Sequence, residues 1–426
     1  MSWPPGLRAL RHRDYRLFYA GQGVSQLGTW LQLVATSWLV YRLTGSALML
    51  GLASFALHIP FLLLAPVAGV LVDRHPKRRV LLFTNAAALA QSLAMLALVA
   101  SDRVEAWHLV AGNLVLGTVS AIDGPARQAM LLELVGGRRA DLPNAIALNS
   151  ALMNGARFAG PMIGGAVIAG LGEAWGFALN SASYGAVLAA LARVRAAPFG
   201  VETGTESWAQ QFVAGLRHVF GFLPSRAALV LLAAVSFAVQ PYQSLAPYFA
   251  REVFGGDSRT LGWLIGAGGF GAVAGMVYLA WRPSVRGLLS LLPLAAAVAG
   301  AALIGFSFAT SLALALALVF VTGMGGMITA AGTNTVLQTI VDERMRARVA
   351  ALYMMAFLGT MPLGSLAAGA LAERIGPPAA LAAGGTLALA AAAVYAARLG
   401  AIRRAIAPVY ERLGIASRAR AFRPQP

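Results

Sequence analysis

Long hydrophobic runs recur along almost the whole chain, separated by short polar turns. Twelve can be read, near 17–42, 46–72, 79–100, 106–126, 143–171, 174–194, 226–249, 260–281, 287–308, 312–336, 348–372 and 377–397. A helix needs about 20 apolar residues to cross a hydrocarbon core of roughly 30 Å, and each run reaches or approaches that length. In lipid every backbone N–H and C=O has to be satisfied inside the segment, so helices are the expected form. The pattern predicts an all-α membrane protein with twelve transmembrane helices. A cleavable signal peptide is not expected, because the first run is too long and no small-residue cleavage site follows a short apolar stretch.

Composition agrees with this. Of 426 residues, 58% are hydrophobic and 12% charged, with mean hydropathy +0.70. A soluble chain carries about a quarter charged residues, so a soluble enzyme is excluded. With no cysteine there are no disulfides, thiolate metal sites or cysteine nucleophiles. The five histidines are scattered, so neither a metal site nor a cofactor is expected. No Gly-Lys-Ser/Thr phosphate loop is present, which leaves direct ATP hydrolysis unsupported. A membrane enzyme would need paired carboxylates or a His/Asp cluster, and no such constellation stands out.

The formal net charge of +17 is explained by where the charges fall. Alternate turns hold 27 of the 33 Lys and Arg residues, from Arg8 before the first span to Arg423 after the last. The opposite turns hold five, namely Arg42, Arg103, Arg251, Arg259 and Arg374. The positive-inside rule then puts both termini in the cytoplasm, which requires an even number of spans. Anionic lipids account for the basic excess, at about 1 kcal/mol per residue near the surface, and nucleic acid is not an expected partner. The location is the cytoplasmic (inner) cell membrane, as a multi-pass monomer.

A long connection divides the spans six and six. The expected organisation is a cytoplasmic segment 1–16, a first bundle 17–194, a linker 195–225, a second bundle 226–397 and a basic tail 398–426, which anchors topology without folding. In the linker Trp208, Phe212, Leu216, Val219, Phe220 and Leu223 share one helical face, so a surface-lying amphipathic helix is expected. The halves also resemble one another. Gly45 to Gly51 after the first span matches Gly256 to Gly262 after the seventh, and Pro161 to Gly164 in the fifth matches Pro362 to Gly364 in the eleventh. Such pseudo-repeats are how many transporters are built around a midplane site.

The run Gly69-Val70-Leu71-Val72-Asp73-Arg74-His75-Pro76-Lys77-Arg78-Arg79 resembles the cytoplasmic signature of the major facilitator superfamily, with Pro76 where the family usually has Gly. Gly69 should allow a close helix approach. Asp73 should face the positive N-terminus of a neighbouring helix, most plausibly the eleventh span. Arg74, Arg78 and Arg79 should reach carboxylates such as Asp342 and Glu343. The resemblance implies a gating latch, to which Lys77 also belongs, and the major facilitator fold.

Asp123 and Arg157 are the charged residues that fall within the expected hydrocarbon region, where a charge costs at least ~2.5 kcal/mol without a partner or water. Arg127 lies one turn beyond Asp123 on the same face. Ser150, Asn154, Arg157, Pro161 and Gly164 form one stripe of the fifth span, expected to face inward. The segment around Gly160, Pro161, Gly164 and Gly165 resembles the fifth-helix motif of proton-coupled drug antiporters, which implies export. Further phrases are similar to the branch containing siderophore (enterobactin) exporters and multidrug efflux proteins. They include Arg13 to Phe18, Pro125 to Gln128, Asn144 to Ser150 and Arg346 to Val349.

Polar residues within the spans are the candidates to line a cavity, since an unpartnered polar group in lipid is costly. They are Gln22, Gln26, Thr29, Gln91, Asn113, Asn154, Gln240, Gln243 and Asn334. Proton-coupling candidates are Asp123, with Arg157 as its electrostatic partner, and His58, whose ordinary pKa suits a switch. The function expected is export of a small siderophore or drug-like molecule by alternating access, with H+ as the counter-ion. An importer of the same superfamily and a transport-inactive signalling or scaffold protein are the alternatives.

Overall fold

The computed structural model describes residues 4–195, 208–282 and 284–415. Among these every regular element is helical. The first half contains α1 (Arg13–Thr44), α2 (Ala47–Arg74), α3 (Lys77–Ala100), α4 (Ala106–Leu134), α5 (Leu142–Leu171) and α6 (Glu173–Arg193). After α7 (Trp208–Gly221) the second half opens with α8 (Leu223–Val239) and α9 (Tyr242–Tyr248), which run on into a π-helical turn, Phe249–Val253. Then come α10 (Ser258–Ala280), α11 (Leu288–Ser307), α12 (Leu312–Ile340) and α13 (Arg346–Met354). A second π turn, Met355–Gly359, joins α13 to α14 (Thr360–Ile375), followed by α15 (Pro377–Ala397) and α16 (Leu399–Arg412).

Nine of these helical segments are long and apolar enough to cross a membrane. The long helices outside that set, α1, α5 and α6, carry polar residues on faces turned toward protein. In the core of the first bundle Asn180 Nδ2 donates to Gln32 Oε1 at 2.6 Å, and Gln32 Nε2 donates to Gln91 Oε1 at 3.0 Å. Ser181 Oγ lies 3.0 Å from Ser92 Oγ, which itself donates to the Phe177 carbonyl at 3.1 Å. These bonds tie α1, α3 and α6 together where water cannot compete.

The duplication read from the sequence is visible in the packing. α1 lies on α6, α3 on α4 and α6, and α2 on α4; α8 lies on α15, α11 on α12 and α15, and α10 on α12. The two bundles meet along two seams, α2 against α14 and α5 against α10. A further correspondence escaped the sequence reading: α5 turns into α6 through Gly172 alone, and α14 into α15 through Gly376 alone. Their φ values of +92° and +86° are open to glycine without strain.

Three expectations are corrected. The second bundle begins at Leu223 rather than 226, and its first span is broken at Gln240–Pro241, where proline removes a backbone donor. The basic tail was expected not to fold, yet α16 forms because Ile402, Ile406 and Tyr410 recur every four residues and bury against the bundle while Arg403 and Arg404 stay exposed. In the linker helix Val219 is buried but Phe220 is exposed, so the expected apolar face splits; Trp208 and Phe212 lie outside the described side chains.

The N-terminal segment, α7 and α16 gather at one end of the molecule, called the basic end below. A 3₁₀ segment, Pro5–Arg11, is clasped onto the start of α5. Asp141 accepts from Arg11 at 2.6 Å, meets His12 at 2.9 Å and pairs with Arg8 at 3.7 Å. Asn144 Oδ1 accepts from the Ala9 amide at 2.9 Å, and the Tyr15 hydroxyl donates to the Ala145 carbonyl at 2.8 Å. The hydrogen bond with His12 holds the Asp141 carboxyl below the ordinary carboxylate range; burial opposes this and Arg11 reinforces it. A carboxyl depressed by folding stabilises fully above its unfolded value of about 3.9 and loses that contribution as pH falls through the lower, folded value. Hydrogen exchange at the Ala9 amide should therefore stay protected down to about pH 4. Asp141→Asn should lower that protection roughly tenfold or more at pH 7, equivalent to about 1.4 kcal/mol, within the range for a charge-assisted hydrogen bond.

Candidate functional site

Three cavities follow one another around the middle of the molecule. The largest, about 350 Å³, lies inside the first bundle. Its walls include Gln26 and Thr29 from α1, Thr84 and Asn85 from α3, Asp123 and Arg127 from α4, and Tyr184 from α6. Asp123 accepts hydrogen bonds of 2.9 Å from both Thr84 Oγ1 and Asn85 Nδ2 and is ion-paired with Arg127 one turn along α4. A carboxylate with three donors is satisfied in place, as a charge away from water has to be.

A second cavity of about 120 Å³ lies on the α2–α14 side, between Trp30, His58 and Asn113 of the first bundle and Gln243 and Ser244 of the second. His58 Nδ1 donates back to the Ser54 carbonyl at 2.9 Å, and Asn113 Nδ2 donates to the Ala53 carbonyl at the same distance. The third cavity, about 30 Å³, has Arg157, Gln240, Tyr242 and Gln243 in its walls. Among the described residues Arg157 has no hydrogen bond or ion pair. The expected Asp123–Arg157 partnership is thus replaced by Asp123–Arg127, because Arg157 points from α5 toward the second bundle.

Away from the basic end the seams are tight. A Cβ on Gly51 would stand 2.6 Å from the Ser365 carbonyl oxygen, and one on Gly369 would stand 2.7 Å from that of Ala47. On the other seam a Cβ on Gly262 would lie 2.5 Å from the Pro161 carbonyl oxygen, and Gly165 abuts the backbone of Ser258 and Gly262. Of the fifth-helix motif, Gly160 packs on the Trp30 side chain and Gly164 on Leu31, so these four residues serve contact with α1 and α10 together. Hydrogen bonds span the same end. Ser46 Oγ and the Leu48 amide donate to Glu373 Oε2 at 3.1 and 3.3 Å, Tyr41 donates to Glu252 at 3.2 Å, and Ser365 Oγ joins Ser54 at 3.2 Å to Ser244 at 3.1 Å. Glu373 sits at the positive N-terminus of α2. Sequence reasoning missed Glu252, Glu373, Ser244 and Ser365, since nothing local in the sequence pairs residues more than 100 positions apart.

Toward the basic end the seams open. A Cβ on Gly69 or Gly155 would meet nothing within 4 Å, so the close approach expected at Gly69 is not made in this conformation. Arg78 donates to the Leu191 and Ala192 carbonyls at 2.8 and 2.9 Å, closing the end of α6 within its own bundle rather than reaching Asp342 or Glu343. Arg74 and Arg79 are exposed, Lys77 is buried at the first turn of α3, and the Asp73 side chain lies outside the described residues. Glu343 meets Arg346 at 4.0 Å.

Several cavity candidates also move. Gln22 is buried, with both amide atoms lacking a partner among the described residues, and Gln91 belongs to the internal network. Asn154 donates to the Ser150 carbonyl of its own helix at 2.8 Å, and Asn334 lies outside all three cavity walls.

The profile of transmembrane secretion effectors matches residues 5–411. The chain belongs to that family. Its members are membrane transporters of the major facilitator type, not enzymes. The chain is 28% identical over 359 residues to the multidrug efflux pump Tap of Mycolicibacterium fortuitum, covering 82% of this chain and 87% of Tap. It is 24% identical over 361 residues to the staphyloferrin A transporter of Staphylococcus aureus, with the same coverage of 82% and 87%. A bacterial homolog of the human lysosomal transporter Spinster, in an inward-facing and unoccupied conformation, superposes with TM-score 0.70 over 96% of this chain and 99% of its own. At 15% identity that likeness speaks to the fold alone. The family phrases Arg13 to Phe18 and Asn144 to Ser150 touch in space, through Tyr15 and Ala145, which gives that pair of sequences a common structural purpose.

Closure of the seams should depend on the glycines. Gly262→Val should force the bundles apart, so that spin labels at Leu43 and Ile375 move several Å further apart. Gly170→Val, where a Cβ meets nothing within 4 Å, should leave the distance unchanged. Labelling is simplified by the absence of native cysteine.

Proposed function

We propose that the protein is a secondary exporter of a small organic molecule, working as a monomer in the cytoplasmic membrane by alternating access and exchanging cargo for protons. On this reading α8 with α9, and α13 with α14, each count as one span, giving twelve with both termini in the cytoplasm. The concentration of basic residues at the end where the N-terminal segment, α7 and α16 gather supports this orientation. The basic end is then the cytoplasmic side, and the conformation is open inward and sealed outward.

The observation that carries the reading is the contrast between glycine-tight seams at one end and open seams at the other, with polar cavities between them. Two bundles joined in this way can rock about a midplane, so that the sealed and open ends exchange. Export as the direction is supported by the name of one relative, the multidrug efflux pump Tap.

Proton coupling rests on Asp123. Of the buried carboxylates Asp123, Glu133 and Asp141, it is the one that lines the largest of the three cavities. Adding a proton there removes the charge that Arg127, Thr84 and Asn85 now satisfy, so those donors must find new partners and α4 can change its grip on α3.

Everted membrane vesicles containing the protein test the reading. They should accumulate a fluorescent efflux dye when a proton gradient is imposed, and a protonophore should abolish the accumulation. Asp123→Asn should lower the gradient-driven rate by at least tenfold, on the order expected when a proton-transfer group is removed. Equal accumulation with and without the gradient would overturn proton coupling, and a full rate in Asp123→Asn would remove that residue from it.

A further inference from the structure

Arg157 sits where its charge has no counterpart among the described residues. It lies midway along α5, and its own carbonyl oxygen stands 2.7 Å from where a Cβ on Gly269 of α10 would be. Phe158 beside it packs at a tilt against Phe270 of α10 with ring centroids 5.0 Å apart. This is the last close contact of the α5–α10 seam, since Gly155, two residues toward the basic end, meets nothing within 4 Å. The guanidinium is thus held at the rim between the sealed and open parts of the molecule.

The groups that share its cavity are neutral: the amides of Gln240 and Gln243, the hydroxyls of Ser236, Tyr242 and Thr322, and apolar surface including Phe357. The charge of Arg157 also acts on His58 of α2. Asp123, the carboxylate within the first bundle's cavity, is already engaged by Arg127, Thr84 and Asn85. An arginine in the middle of a membrane protein costs several kcal/mol unless an anion or water meets it. Here the described residues of the cavity wall supply several hydrogen-bonding groups suited to a carboxylate's remaining lone pairs, but no negative charge. A guanidinium presents its N–H donors in a planar fork that matches a carboxylate with two parallel hydrogen bonds.

We propose that Arg157 is the binding residue for an anionic group of the cargo, so that the substrates are organic anions carrying at least one carboxylate. This rests on the transport reading above, whose cargo it specifies. Gln240, Tyr242 and Gln243, at the break in the first span of the second bundle, complete the carboxylate's hydrogen bonds from the opposite side. The cargo's charge therefore bridges the two bundles. In the present conformation the cavity has room for little more than a water molecule, so the guanidinium is stored at the rim and the anion enters from the open end as side chains part.

Binding to the purified, detergent-solubilised protein tests this without reference to direction or energy source. The probes are two xanthene dyes of similar size and opposite charge, carboxyfluorescein and rhodamine 123, followed by fluorescence anisotropy. The wild type should bind carboxyfluorescein at least tenfold more tightly than rhodamine 123. Arg157→Gln should weaken carboxyfluorescein binding tenfold or more while changing rhodamine 123 by less than twofold. Arg157→Lys, which keeps the charge but loses the fork, should fall between. Equal or tighter binding of rhodamine 123 by the wild type, no saturable binding of carboxyfluorescein, or an unchanged affinity in a monodisperse Arg157→Gln protein would each overturn the proposal. Anion binding that depends on Arg157, in a protein whose vesicles ignore the proton gradient, would uphold this inference and sink the coupling alone.

Discussion

Backbone-to-backbone contact at glycine sets the geometry of the whole molecule. Where Gly51 meets Gly369 and Gly165 meets Gly262, no side chain stands between the helices. Dispersion falls off steeply with distance, so these stretches gain contact that larger residues would forfeit. The grip is confined to one end of each seam. Two bundles fastened only at one end have a natural axis about which the other end can swing, and the cavities lie on the path between the two.

The bundles themselves must be stiffer than the seams for such swinging to mean anything. The bonds among Asn180, Gln32 and Gln91 make three helices of the first half move as one body. Polar groups in an apolar surrounding are costly to leave unpaired, so the network resists opening even though each bond is worth only about 1 kcal/mol net. The duplicated packing of the second half reaches the same stiffness mainly through close apolar contact, as in the burial of Leu292, Leu303 and Phe306 on α11. Charge is distributed accordingly: Asp123 and Arg127 are settled inside one bundle, while Arg157 looks across to the other.

Much of this was legible in the sequence, and the limits have physical causes. The alternation of basic turns and the spacing of the hydrophobic runs gave the helices, because lipid permits few other forms. The paired Gly-x₅-Gly turns marked the duplication, and their second members, Gly51 and Gly262, prove to be the seam contacts. Composition picked out the polar residues of α1 but not their neighbours, so Gln22 and Gln26, four residues apart, have different surroundings: one is buried with no partner among the described residues and the other lines the polar cavity. Arg78 shows the same limit, since a long side chain reaches whichever carbonyl is nearest, and that is decided by how α3 lies against α6. The fold of α16 was missed because a charged composition hid three apolar residues at helical spacing.

The cavity walled by Trp30, His58 and Asn113 on one side and Gln243 and Ser244 on the other has a pharmacological meaning. Its walls belong to bodies that must separate when the sealed end opens. A compound shaped to fill it would bind this state alone and would shift the population toward it by its differential affinity. Such a molecule would act as a wedge in reverse, gluing the halves together, and the tighter it bound the more completely it would stall the transporter.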